Sequence, residues 1–174
     1  MYLGMLYEDH IIKFQNYDSK SEMKEVLTRS SKDFLELVEP EYHYEYGILS
    51  YRLFNETEWS CVGICWANSS FPPQVVACAN NAGILIIHDE YVSLLGLHKR
   101  EVCFNYKSDS MVYFSKYYKD TIVVVAELSA TQLSMSGDVL ATYFFDDILE
   151  TFSFENDKLI CQTMNGSAEY NLAL

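Results

Sequence analysis

"TIVVVAELSATQLSMSGDVLATYFF", residues 121–145, decides the fold class. The run 122–126, "IVVVA", is continuously apolar and β-branched, which predicts a strand buried on both faces. "MSGD" at 135–138 supplies turn chemistry, and the stretches on either side of it alternate as strands, so the whole reads as a hairpin ladder. The same grammar extends outward in both directions. "GILSYRLF", "EWSCVGICW", "QVVACA", "GILIIHD", "YVSLLGL", "REVCFNY" and "MVYFSKYY" precede it, with "NNAG" at 80–83 as a turn. "ILETFSF", "KLICQTM" and "SAEYNLAL" follow, with "MNG" at 164–166 as another turn. The three prolines all precede residue 74, which leaves the later strands free to pair.

One segment has helical spacing instead. In "SKSEMKEVLTRSSKDFLELVEP", residues 19–40, Met23, Val26, Leu27, Ser30, Phe34, Leu37 and Val38 define one stripe. Ser19 and Glu22 fit a capping box, Glu25 with Arg29 and Arg29 with Asp33 sit at i,i+4, and Pro40 ends the run. Its Lys20, Lys24, Arg29 and Lys32 read as a solvated face.

The reading is a single domain over 1–174, with an N-terminal strand and helix in 1–40 and antiparallel β structure over 41–174. The class is mainly β (α+β). A weak repeat begins at Val75, Ile122 and Leu159, 47 and 37 residues apart, near the length of a propeller blade. Three such units cannot close a ring. The expected architecture is therefore a sandwich of two antiparallel sheets, or a partial-propeller-like bent sheet, with the amphipathic helix packed at one end.

Apolar residues make up 49% of the 174, enough to drive folding without staples. The formal charge of −13 is concentrated. Residues 36–59 carry −5 and residues 120–157 carry −8, the latter without a single Lys or Arg. Such a field disfavours nucleic acid and anionic membranes and favours a basic protein partner. No stretch approaches the roughly 20 apolar residues of a membrane span. The N-terminal residues lack a basic signal-peptide region, and five cysteines, an odd number, point to free thiols in a reducing cytoplasm.

No phosphate-binding loop, dinucleotide fingerprint, nucleophile elbow or zinc-protease motif occurs. Cys61, Cys65, Cys78 and His88 are the candidate metal cluster. On a strand, however, Cys61 and Cys65 lie about 13 Å apart, too far to share one zinc. The expectation is no metal, no cofactor and no catalytic residue. Asp146 and Asp147 are adjacent, and strand geometry would point them to opposite faces. Ile148, Phe152 and Phe154 read as one inner face of the strand that follows.

"EPEYHYEYG", residues 39–47, alternates Tyr42, Tyr44 and Tyr46 against Glu41, His43 and Glu45. If the tyrosines face inward, the two glutamates project together into solvent. Tyrosine is also a favoured interface anchor, large and cheap to order.

Residues 121–174 resemble the end of small immunity proteins of bacterial contact-dependent growth inhibition. The shared features are the apolar run into Glu127, "S-G-D" at 136–138, "D-D-I" at 146–148 and the "N-G" turn at 165–166. Where such proteins often carry Trp in the strand after the glycine, this chain has Ala141, Thr142 and Tyr143. The resemblance implies a cytoplasmic protein that binds and neutralises a toxin domain, and no binding residue carries over from it. Combined with the charge, it leads to the expectation of a non-enzymatic monomer or weak dimer that occludes a basic toxin, such as a nuclease. The candidate contacts are Glu36, Glu39, Glu41, Tyr42, Tyr44, Glu45, Tyr46, Asp146, Asp147 and Glu150. The alternative is a small-ligand-binding or enzymatic β domain with an aromatic pocket.

Overall fold

The computed structural model describes residues 9–30, 34–37, 39–67, 70–78 and 83–172, together with the backbone of 2–7. The first sheet contains β1 (Tyr2–Tyr7), β2 (His10–Tyr17), β3 (Phe34–Glu36), β4 (Glu45–Leu53) and β5 (Ser60–Trp66), in the order β1-β2-β4-β5-β3. The helix α1 (Lys20–Ser30) lies between β2 and β3 in sequence. The second sheet is the meander β6 (Gln74–Cys78), β7 (Gly83–His88), β8 (Tyr91–Gly96) and β9 (Glu101–Lys107). The third is β10 (Val112–Tyr118), β11 (Thr121–Ala126), β12 (Ser129–Ser134) and β13 (Val139–Phe144). The fourth is β14 (Leu149–Glu155), β15 (Lys158–Thr163) and β16 (Gly166–Asn171). The fold is mainly β with antiparallel-rich sheets and one helix, as the alternation predicts; there are four sheets, where a two-sheet sandwich or a partial-propeller-like bent sheet was expected. Every predicted strand after Gly47 is present, and β7 and β11 are buried along their whole length.

The sheets stack face to face in chain order, and strand periodicity explains how. Successive side chains point to opposite faces. In β7, Ile84 and Ile86 therefore pack against Leu49, Val62, Ile64 and Trp66 of the first sheet, while Leu85 and Ile87 pack against Ile122 and Val124 of the third. In β11, Val123 and Val125 turn the other way, onto Leu159 and Cys161 of the fourth sheet. The two ends of the stack are finished differently. The far face of the first sheet (Ile48, Cys61, Cys65) is covered by Met23 and Leu27 of α1. The far face of the fourth carries exposed Thr151, Ser153, Gln162, Ser167 and Glu169, which need no cover.

The repeat is real, but its phase differs from the one predicted. Val75 lies in the first strand of its sheet, whereas Ile122 and Leu159 lie in second strands. The equivalent positions are Ile84, Ile122 and Leu159, each the second residue of a second strand, each fully buried, and 38 and 37 residues apart. Two of the preceding turns are also equivalent. Lys119–Asp120 and Asn156–Asp157 have positive φ at both central residues, the left-handed pairing that a two-residue hairpin requires. At the predicted 135–138 turn, Gly137 has φ +90, and a Cβ there would lie 2.7 Å from Phe104, so both backbone and space call for glycine.

The helix is shorter than its sequence period suggests. Ser19 Oγ accepts the Glu22 amide at 3.2 Å, as a cap should, but the Glu22 carboxylate reaches back to the Asp18 amide rather than to Ser19. Glu25 and Arg29 pair at 2.5 Å, while Asp33, Val38 and the 80–82 part of the predicted turn lie outside the described residues. From Phe34 onward the helical reading fails. Phe34–Glu36 form β3, parallel to Cys61–Gly63 of β5, and Leu37 enters the core between the first two sheets. "FLEL" satisfies both periods locally, and the open edge of β5 supplies backbone partners that favour the strand. The N-terminal region likewise holds a β1–β2 hairpin where one strand was expected. Gly63 then admits the helix: a Cβ there would come within 2.9 Å of Leu27. No described helix is long and apolar enough to cross a membrane.

Candidate interaction surface at the crossover end

A four-stranded antiparallel meander starts and finishes at the same end. The second and third sheets, β6–β9 and β10–β13, both do so, and their linkers therefore gather at one end of the stack. Hydrogen bonds stitch these linkers together. The Asp89 carboxylate accepts the Ala67 amide, and its carbonyl accepts the Val112 amide at 2.8 Å. Asp109 Oδ1 accepts from the hydroxyls of Ser108, Ser110 and Ser129 at 3.3, 3.1 and 2.8 Å. The Glu127 carbonyl accepts the Leu149 amide, joining the third sheet to the fourth. This crossover end is thus a built surface rather than a set of independent loops.

The predicted contact residues divide. Glu36 and Glu39 are already spent, paired with Lys24 at 3.4 Å and Lys20 at 2.5 Å. Burial alone would raise the Glu39 carboxyl, but the Lys20 bond and charge, with His43 and Lys24, hold it below the ordinary range. Glu41, Glu45, Asp146, Asp147 and Glu150 all stand at or beside the crossover end and form no ion pair among the described residues. Asp146 accepts the Thr163 hydroxyl at 2.8 Å, and Asp147 accepts the Ile148 amide and the Asn165 side-chain amide, so this pair shapes a turn instead of lying on a strand.

The tyrosines do not form an inward face. Residues 41–44 precede β4, and Tyr42 and Tyr44 are 67% and 72% exposed. Only Tyr46 packs inward, beside the α1 contact. The Tyr44 amide donates to Trp66 O at 3.1 Å, which anchors its backbone while its ring stands in solvent. Ile148 is 49% exposed rather than sharing the inner face of Phe152 and Phe154, because a bulge between Leu149 and Thr151 resets the alternation and buries Leu149 instead.

The structure adds residues that sequence reasoning missed. Asp109 and Glu127 join the carboxylates that form no ion pair among the described residues, and Phe71, Leu128, Phe144, Ile148 and Met164 add exposed apolar groups at the same end. The signal available was positional: Phe71, Asp109, Phe144 and Ile148 sit in or next to linkers between sheets, Glu127, Leu128 and Met164 sit in hairpin turns, and antiparallel strand order brings these linkers and turns to one side. The opposite end differs in charge. There Arg100 pairs with Glu56 at 2.5 Å, Lys119 with Asp157 at 2.6 Å and Lys158 with Glu169 at 2.7 Å.

No family model and no curated protein matches this chain. Among solved structures, Hsv2 of Kluyvelomyces marxianus matches at 15% identity with a TM-score of 0.45, over 67% of this chain and 40% of that one. The chain spans less than half of that protein's length, and a likeness of this degree leaves function to the residues themselves.

Several hollows open at the crossover end, two of them larger than the one beside Asp146 and Asn165. One, of about 300 Å³, is lined by Glu41, Tyr42, Asp89, Glu90, Tyr91 and Lys107 among others. Lys107 pairs with Glu90 at 3.4 Å and lies 5.7 Å from the centre of the Tyr91 ring. The second, of about 190 Å³, lies between Phe71, His88 and Tyr113. The candidate cluster of Cys61, Cys65, Cys78 and His88, which strand spacing argued against, is divided between two faces: Cys61 and Cys65 face α1, and Cys78 faces the third sheet. Cys65 nonetheless meets a histidine, His43, together with Glu39. Burial pushes the Cys65 thiol up to about 11, so it is no ready nucleophile.

Proposed function

We propose that this protein is an acidic binding module that captures a basic protein through the crossover end of its sheet stack. In the fuller reading the partner is a toxin domain, such as a nuclease. The chain neutralises it in the cytoplasm by occlusion, as the resemblance to contact-dependent inhibition immunity proteins implies. One observation carries the proposal. Glu41, Glu45, Asp109, Glu127, Asp146, Asp147 and Glu150 share one end, and none of the seven forms an ion pair among the described residues, although Lys107 pairs with Glu90 and Lys20 with Glu39 nearby.

Like charges held together on a rigid scaffold repel one another, and a cationic partner removes that cost. The same field speeds encounter, and the exposed Tyr42, Tyr44 and Phe144 supply large, low-entropy anchors. The hollow beside Glu41 suits one basic side chain: it already brings an ammonium between a carboxylate and an aromatic face. Binding there covers whatever cationic cleft the partner presents.

Coexpression tests this. The product of the reading frame next to this chain's gene is expressed alone, with the wild-type chain, and with an E41K/E45K/E150K variant whose fold is verified by circular dichroism. Growth arrest that the wild type relieves and the variant does not supports the reading. A neighbour that causes no arrest, or relief by the variant equal to that of the wild type, overturns it.

A further inference from the structure

We propose that Glu39, His43 and Cys65 form a zinc(II) site beside the crossover end of the first sheet. The three ligand atoms come from two places, the linker before β4 and the penultimate residue of β5, and all lie within 4.8 Å of one another. Bonds of about 2.0–2.3 Å to a tetrahedral zinc separate its ligands by roughly 3.3–3.8 Å, so the side chains need close by only about an ångström.

The surroundings of His43 are those of a metal ligand. Its Nδ1 lies 3.3 Å from the Pro40 carbonyl oxygen, which accepts the Nδ1 proton and leaves Nε2, 3.8 Å from Glu39 Oε2, as the nitrogen available to a metal. The His43 ring is steadied edge-on against Tyr46 at 5.8 Å. A thiolate, an imidazole and a carboxylate form a donor set that selects zinc over magnesium or calcium, which prefer oxygen. With three protein ligands, water completes the tetrahedron.

The metal-free site already holds a cation: the Lys20 ammonium sits 2.5 Å from Glu39 Oε2. Lys20 is one-third exposed and free to swing outward. Cys65 is buried, but Glu39 and His43 are only partly so, which leaves an approach from solvent. As zinc bonds to the sulfur, the thiol proton leaves to solvent, so ligation adds one negative charge at sulfur. A bound zinc fastens the linker carrying Tyr42 and Tyr44 to β5. The site does not depend on the proposed toxin partner, and its test needs none.

Cobalt(II) is the probe, titrated into the full chain under a reductant that does not bind metal. The expected result is one equivalent bound, with the near-ultraviolet thiolate-to-cobalt charge-transfer band and visible bands of a four-coordinate ion, both abolished by added zinc. H43A weakens binding at least about tenfold and C65S removes the charge-transfer band. C103S, which deletes the exposed thiol, leaves the band intact. K20M, which removes the competing cation, tightens binding several-fold. H43A lies on a partly exposed linker and serves where C65S fails to fold, as judged by circular dichroism. Absence of the charge-transfer band, its survival in C65S, its loss in C103S, or an affinity indifferent to both H43A and K20M overturns the site.

Discussion

The Ala67 amide donates to both carboxylate oxygens of Asp89, at 3.1 and 3.0 Å, and so bonds the end of β5 to the turn between β7 and β8. Asp89 is buried and has φ +50, a conformation that Asp and Asn tolerate better than Ala. D89A leaves a part-buried amide unpaired and strains the turn, for an expected loss of about 3 kcal/mol. D89N keeps one acceptor and the backbone preference and loses about 1 kcal/mol. Urea unfolding of both variants checks the order. Equal losses would mean that the full carboxylate matters, and not the backbone preference or the single acceptor that Asn retains.

Leu27 packs directly over Gly63, where an added Cβ would come within 2.9 Å of the leucine Cδ1. G63A is expected to cost about 1–3 kcal/mol by overpacking, and L27A about 2–5 kcal/mol by leaving a cavity. In the double variant the added methyl partly fills the space that leucine vacates, so the losses fall short of additivity by about 1 kcal/mol. A double-mutant cycle in denaturant reads this directly, and strict additivity would place α1 elsewhere.

Asp157 gives the fold an acid-sensitive element. Hydrogen bonds from Lys119 and Tyr118 hold its carboxyl below the ordinary 3.8. Because the folded value is the lower one, its stabilisation is fully present above the ordinary value and is lost as pH falls through the folded value. The group is solvent-exposed, so the effect is small and shrinks with salt. D157N preserves the positive-φ turn, since Asn also tolerates that backbone, and is expected to flatten the decline of Tm in the acid range. An unchanged acid decline would assign it to other carboxylates.

The thiols differ sharply in access. Cys103 is exposed, whereas Cys61, Cys65, Cys78 and Cys161 are buried, and burial pushes the last three up to about 11. A thiol reagent at neutral pH is expected to modify one cysteine quickly and the rest only on unfolding, with the fast phase absent in C103S. Two fast thiols would contradict the packing of α1 over Cys61 and Cys65.

Much was legible in residue order. Alternation and short apolar runs located the strands from β4 onward, and "MSGD" and "MNG" marked real hairpin turns. The acidity of two segments was plain, as was the helix start at Ser19. The candidate contacts were only partly legible. Glu41, Glu45, Asp146, Asp147 and Glu150 form no ion pair among the described residues beside the crossover end, whereas Glu36 and Glu39 answer to lysines on α1.

Local pattern settles what a residue's near neighbours decide: strand period, turn chemistry, cap and charge. It could not end α1 at Ser30, because only the open edge of β5 makes 34–36 a strand. Nor could it bring His43 to Cys65, or gather Glu127 and Met164 at one end with Tyr42. Those arrangements depend on register and stacking between segments far apart in sequence, where backbone pairing and the burial of both sheet faces outweigh any preference carried by a few consecutive side chains.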